Sequence, residues 1–150
     1  MKEVTLEMAK KMLDASTRWA GDIGKGFVSV AVVDRGGAII AVERMDSAAA
    51  LTAEIAIEKA WSVASFKTPG ILLGRLMDPR NLGQILGDHG LGLIGRGKGR
   101  LAPIPGSIAI TGDGGSTDII GAIGASGFPA GVGEVSDNSV CQAGIVALYD

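Results

Sequence analysis

Residues 27–46, Phe27-Val-Ser-Val-Ala-Val-Val-Asp-Arg-Gly-Gly-Ala-Ile-Ile-Ala-Val-Glu-Arg-Met-Asp46, decide the fold. Val28, Val30 and Val32 alternate to one side of an extended chain, and Phe27, Ala31 and Val33 to the other. Both sides are apolar, so this strand is expected to lie between two layers rather than on a wet surface. Asp34-Arg35-Gly36-Gly37 brings the glycines that a hairpin turn uses for positive φ. The returning strand is apolar from Ala38 to Val42 and then breaks into Glu43, Arg44 and Asp46. Three charges at the exit of a buried hairpin form either a solvated rim or the wall of a site.

Outward from the hairpin, helix and strand signals follow one another. Residues 5–23 predict an amphipathic helix capped by Thr5, with Glu7 in its first turn, a buried stripe of Leu6, Ala9, Leu13, Ala20 and Ile23, and a left-handed stop at Gly24. A second helix is expected over Ala48–Phe66, ended by Thr68-Pro69-Gly70, with a short helical turn near Ile71–Met77. Glycines break residues 80–106, where Leu91–Ile94 has weak strand character. Ser107–Thr111 and Ile119–Ala125 read as strands on either side of the polar loop Gly112–Asp118. A last helix covers about Ser136–Leu148, capped by Ser136, Asp137 or Asn138. The order predicts an α+β fold of one domain, residues 1–150, with helices covering an antiparallel sheet.

Composition narrows the function. The net charge of −2 and the six aromatic residues (three Phe, two Trp, one Tyr) give no footprint for nucleic acid. No apolar run reaches the roughly 18–20 residues that span a bilayer, and no apolar signal core follows Met1, so a cytoplasmic location is expected. One cysteine and one histidine exclude an internal disulfide and a multi-thiolate or multi-histidine metal site. The chain is 47% apolar with 24 glycines interleaved among valine and isoleucine, and such surplus apolar surface predicts association into a homo-oligomer.

One residue is out of place. The helix over 48–66 is apolar around most of its circumference, and Glu54, Glu58, Ser62 and Ser65 share one narrow polar arc. Lys59 projects from the apolar arc, between Ile55, Val63 and Phe66. There it must snorkel, pair with an anion or give up its proton. Glu43 and Asp46 are its expected partners. Such a pair would serve as acid and base, or Lys59 would hold a ligand carboxylate. The residues leave both uses open.

Other candidates have plainer readings beside them. His89 is a ligand or a solvated loop residue, and Cys141 fits a small core residue better than a nucleophile. Gly95-Arg96-Gly97-Lys98-Gly99-Arg100 lacks the Ser or Thr of a phosphate loop. It is a mobile surface loop or a lid that closes Arg96 and Arg100 over an anion. Gly121–Gly127 lies at a strand rather than a strand-to-helix turn, so it suits close packing more than dinucleotide binding.

Val32-Val33-Asp34-Arg35-Gly36-Gly37, Arg44-Met45-Asp46, Glu58-Lys59-Ala60 and Gly121-Ala122-Ile123-Gly124-Ala125-Ser126-Gly127, in this order, resemble the GlcG/HbpS family of haem-binding or haem-degrading domains. That family is related to the C-terminal domain of PduO-type cobalamin adenosyltransferases. The resemblance implies a profilin-like α-β-α sandwich and a compact oligomer, dimer-based and extending to a hexamer or octamer, with pockets near subunit interfaces. Members usually carry Gly-Gly-Val-Pro where this chain has Ala102-Pro103-Ile104-Pro105. The substitutions imply a stiffer, reshaped pocket edged by Pro103 and Pro105. Three functions are therefore expected. The first is binding of a small carboxylate-bearing organic anion by Arg44, Asp46, Lys59, His89, Arg96 and Arg100, with no metal and no cofactor. The second is isomerase, lyase or hydrolase chemistry by Glu43 and Lys59. The third is haem binding, as in some relatives.

Overall fold

The computed structural model describes residues 1–24, 26–67, 98, 100–102, 104–113, 118–128 and 135–150. The helical turn expected at Ile71–Met77, the strand at Leu91–Ile94, and the site candidates His89, Arg96 and Pro103 lie outside the described residues. Those described form α1 (Leu6–Asp22), β1 (Ser29–Asp34), β2 (Ile39–Arg44), α2 (Leu51–Phe66), β3 (Ser107–Thr111), β4 (Ile119–Ser126) and α3 (Asp137–Tyr149). The strands make one antiparallel sheet in the order β2-β1-β4-β3. The result is the expected α+β plan.

β1 is central and fully buried from Val30 to Val33. Val30 and Val32 join Met12, Leu13, Ile123, Val140 and Cys141 in a core beneath α1 and α3. Val33 joins Ala60, Val63 and Ala122 beneath α2 on the opposite face. The two apolar sides of the opening strand thus supply two cores. Its partner β2 is less buried than its apolar run from Ala38 to Val42 suggested, with Ile39 56% exposed, because β2 is an outer strand of the sheet formed by the described residues. Phe27 precedes the strand and is exposed as well. In the turn, Asp34 Oδ1 accepts from the Gly36 and Ala38 N–H groups, and Gly37 takes the positive φ.

Helix ends follow local chemistry with some corrections. Thr5 Oγ1 accepts from Met8 N–H at 3.2 Å, so Thr5 caps α1 as expected. Leu6 and Ile23 are exposed, however, and Met12 and Ser16 take their places in the buried stripe. No left-handed residue stands at Gly24. Ile23 closes the helix in the right-handed region, and the Ile23 and Gly24 N–H groups both bond to Trp19 O. α2 stops at Lys67, which takes the left-handed cap itself. Ser62, placed on a polar arc by periodicity, is buried. Its hydroxyl donates to Glu58 O and accepts from Ala102 N–H, so it satisfies two backbone groups rather than facing water. Ser136 caps α3 through a reciprocal box with Ser139.

Glu58, on the half-covered side of α2, has its carboxyl raised above the ordinary 4.5, first by desolvation and then by Glu54 one turn earlier. A raised carboxyl favours the fold when protonated; that contribution is complete below the unfolded pKa and is lost as pH rises through the folded one. Glu58→Gln is therefore expected to raise the denaturant midpoint near neutral pH. The gain should vanish as pH falls below the ordinary carboxylate range. A gain that persists in acid would contradict this.

Candidate functional site

Lys59 is only 3% exposed, and its ammonium makes two hydrogen bonds, to Ala125 O at 2.9 Å and to Asp137 Oδ2 at 3.1 Å. The backbone explains the first. Ala125 N–H donates to Gly106 O, and in a continued antiparallel ladder the Ala125 carbonyl would accept from residue 106 in return. Gly106 instead turns away with φ +118 directly after Pro105, so the carbonyl needs another donor, and the Lys59 amine supplies it. A Cβ on Gly106 would stand 2.7 Å from that amine.

The second partner corrects the expectation that Lys59 meets Glu43 or Asp46. Glu43 pairs in register with Val30, and Val30 with Ala125, so the Glu43 side chain shares the face of the sheet covered by α1 and α3. α2 covers the other face. Lys59 crosses the end of the sheet and reaches Asp137, the first residue of α3. There the carboxylate also favours the helix N-terminus and accepts from Phe128 N–H at 2.8 Å. Nearby, Cys141 is fully buried, its thiol is pushed up by burial, and its Sγ donates to Gly106 O at 3.4 Å. The buried thiol fits the core role read from sequence.

Glu43, Arg44 and Asp46 are exposed and line a groove of about 760 Å³ between α1 and the end of the hairpin. Asp14 and Asp22 line it too, so among the described residues four carboxylates face two guanidinium groups. Arg44 donates to Ala48 O at 2.9 Å, and Arg18 is paired with Asp14. The field there is negative and unsuited to an anion. Arg100 lies elsewhere, its guanidinium 4.3 Å from the centre of the Trp61 ring, beside a cavity of about 250 Å³ that also touches Glu58. Pro105 is exposed at the entry to β3. The structure therefore gathers Glu43, Arg44 and Asp46, and leaves Lys59, Arg100 and Pro105 apart from them.

A second groove, of about 710 Å³, was not anticipated. It runs between α1 and α3 and is walled by Trp19, Ile23, Ala143 and Val146, with Arg18, Asp22, Asn138 and Gln142 supplying polar groups. Ile23 is 68% and Val146 49% exposed, so the apolar wall faces outward. Trp19 is braced from behind by Phe128, ring centroids 6.3 Å apart. The signal available in sequence was Arg18-Trp19, adjacent residues outside the apolar stripe of the first helix. Among the described residues, no group of three or more His, Cys, Asp or Glu is placed to hold a metal ion.

Haem requires an axial ligand such as His, Met, Cys or Tyr. Among the described residues, none of these lines the α1–α3 groove. Met45 lines the acidic groove, but its sulfur receives the Val28 N–H. The described residues of the two grooves thus do not fit an iron-ligated haem. No described helix is long and apolar enough to cross a membrane.

A family model described as haem degrading protein HbpS-like matches residues 4–146. The fold is similar to a Klebsiella pneumoniae protein ORFY of the DUF336 family, with 29% identity, TM-score 0.81, and 99% of this chain and 92% of that one covered. It is similar to a PduOC haem complex, with 25% identity, TM-score 0.77 and coverage of 97% and 94%. It is also similar to a double mutant of Streptomyces reticuli HbpS, with 26% identity, TM-score 0.76 and coverage of 99% and 88%. No curated protein matches the chain.

Proposed function

The chain belongs to the HbpS-like family, and on that premise we propose that it binds a small organic molecule with an apolar body and a carboxylate, seated in the α1–α3 groove. The carrying observation is an apolar wall of Trp19, Ile23 and Val146, the last two well exposed, with Arg18 the one cation, beside Asp22, among the described residues that line the groove. Burial of the body supplies affinity, and Arg18 supplies orientation and preference for an anion. The PduOC haem complex supports this reading, since haem is an apolar ring with carboxylate arms held on the same fold. The acidic groove at the hairpin end is not the anion site, because its net field opposes one. Copies of the chain associate in the same proposal, covering Phe27, Ile39 and Leu51, each more than half exposed. Glu43 and Lys59, set on opposite faces of the sheet, do not form an acid–base pair in this proposal.

Binding is read from Trp19 emission in a Trp61→Phe background, with 1-naphthoate as probe and neutral 1-naphthamide as control. Naphthoate is expected to bind saturably and more tightly than the amide, and Arg18→Gln should reduce its affinity about tenfold, the scale of a charge-assisted hydrogen bond. Equal affinities for the two probes in wild type would sink the anion reading. Haem is the second reading, favoured by the PduOC complex. A Soret shift on haem titration that disappears in His89→Ala would favour it over the first.

A further inference from the structure

α1 is the common wall of both grooves, and Arg18 lines each of them. On the β2 side its surroundings are acidic: Asp14 and Asp22 on α1, and Glu43 and Asp46 beyond the strand. The α1–α3 groove shares Asp22 with the acidic one, while the described α3 residues that line it, Asn138, Ser139, Gln142, Ala143 and Val146, are uncharged. Arg18 Nη2 donates to Asp14 Oδ2 at 2.7 Å, one helical turn away, and the two side chains are 68% and 66% exposed. We propose that Asp14 is a positioning residue that competes with the ligand carboxylate for Arg18, and so sets how strongly the α1–α3 groove prefers anions. The proposal rests on the groove reading given above.

An exposed pair at this spacing is weak and readily exchanged, so Asp14 restrains Arg18 without locking it. A carboxylate on the apolar side, partly removed from water, is the stronger partner. The pair weakens anions by its own strength and leaves neutral ligands, which do not engage Arg18, unaffected, so it lowers the groove's preference for anions.

The test uses the full chain with Trp61→Phe and titrates 1-naphthoate and 1-naphthamide into Asp14→Asn, Asp14→Glu, Arg18→Gln and the Asp14→Asn/Arg18→Gln double variant. Asp14→Asn is expected to tighten naphthoate about twofold, the scale of an exposed i,i+4 pair, and to leave the amide unchanged. Asp14→Glu restores the wild-type affinity, because a longer carboxylate keeps the pair. In the Arg18→Gln background, Asp14→Asn has no effect. An equal gain with and without Arg18, or a gain shared by the amide, would overturn the competition while leaving the groove standing. No naphthoate binding by any variant would overturn groove and competition together.

Discussion

Asp137→Asn is expected to be the most destabilising of the polar substitutions, lowering stability by about 3–5 kcal/mol, the scale for breaking a buried ion pair from one side. The variant keeps the shape of the side chain and an oxygen for the Phe128 N–H. It leaves the Lys59 ammonium, 3% exposed, without a counter-charge. For a chain of this length the loss corresponds to a fall in melting temperature of about 10 °C. Lys59→Met should cost less, about 1–3 kcal/mol, for a different reason. The methionine fills the volume, but the Ala125 carbonyl loses its donor at the place where β3 has left the ladder.

The double variant Lys59→Met/Asp137→Asn separates charge from packing. With both charges gone, no unpaired ion remains in the sheet end, so the double variant should be more stable than Asp137→Asn alone. If it is less stable by the sum of the two single losses, the sites are independent and the ion-pair account is wrong. A second readout follows the consequences toward the groove. Asp137 fixes Phe128 by its backbone, and Phe128 braces Trp19. In a Trp61→Phe background the emission of Trp19 should shift to the red in Asp137→Asn even under conditions where the chain stays folded.

These residues also show how far the sequence could be read. The two-sided apolarity of Val28–Val33 announced a central strand, and that pattern is local, so it survived folding unchanged. Lys59 was conspicuous for the same reason: an ammonium on an apolar arc must find a partner. Its partner was not legible, because Asp137 is 78 residues away in sequence and acts across the sheet end. Proximity in sequence favoured Glu43, but the register Glu43–Val30–Ala125 turns that carboxylate to the face opposite α2. Parity in a sheet depends on turns and bulges, and β1–β2 carries one between Val32 and Val33. The α1–α3 groove escaped notice for a related reason. It belongs to neither helix alone, and its floor is Trp19, a residue that periodicity leaves beside the buried stripe.

Gly124→Val should unfold the protein or nearly so, and Gly124→Ala should already cost at least the ~1–3 kcal/mol typical of an overpacked core. Gly124 sits in β4 beneath α2. A Cβ there would collide with Ala56 O and stand 2.8 Å from Ala60 N, both backbone atoms of the helix. A side chain can rotate away from such a clash, but a helix backbone cannot, so α2 would have to lift as a unit. Lifting it withdraws Lys59, the neighbour of Ala60, from the Ala125 carbonyl and from Asp137, and the steric loss recruits the electrostatic one. Gly36→Ala is the control. Its Cβ would meet nothing nearer than Asp34 Oδ1 at 3.5 Å, an ordinary contact, so its stability should stay within about 0.5 kcal/mol of wild type. Denaturant melts of the two alanine variants decide the matter. If both lose the same amount, glycine at 124 serves chain flexibility rather than the close seating of α2, and the placement of Lys59 must have another cause.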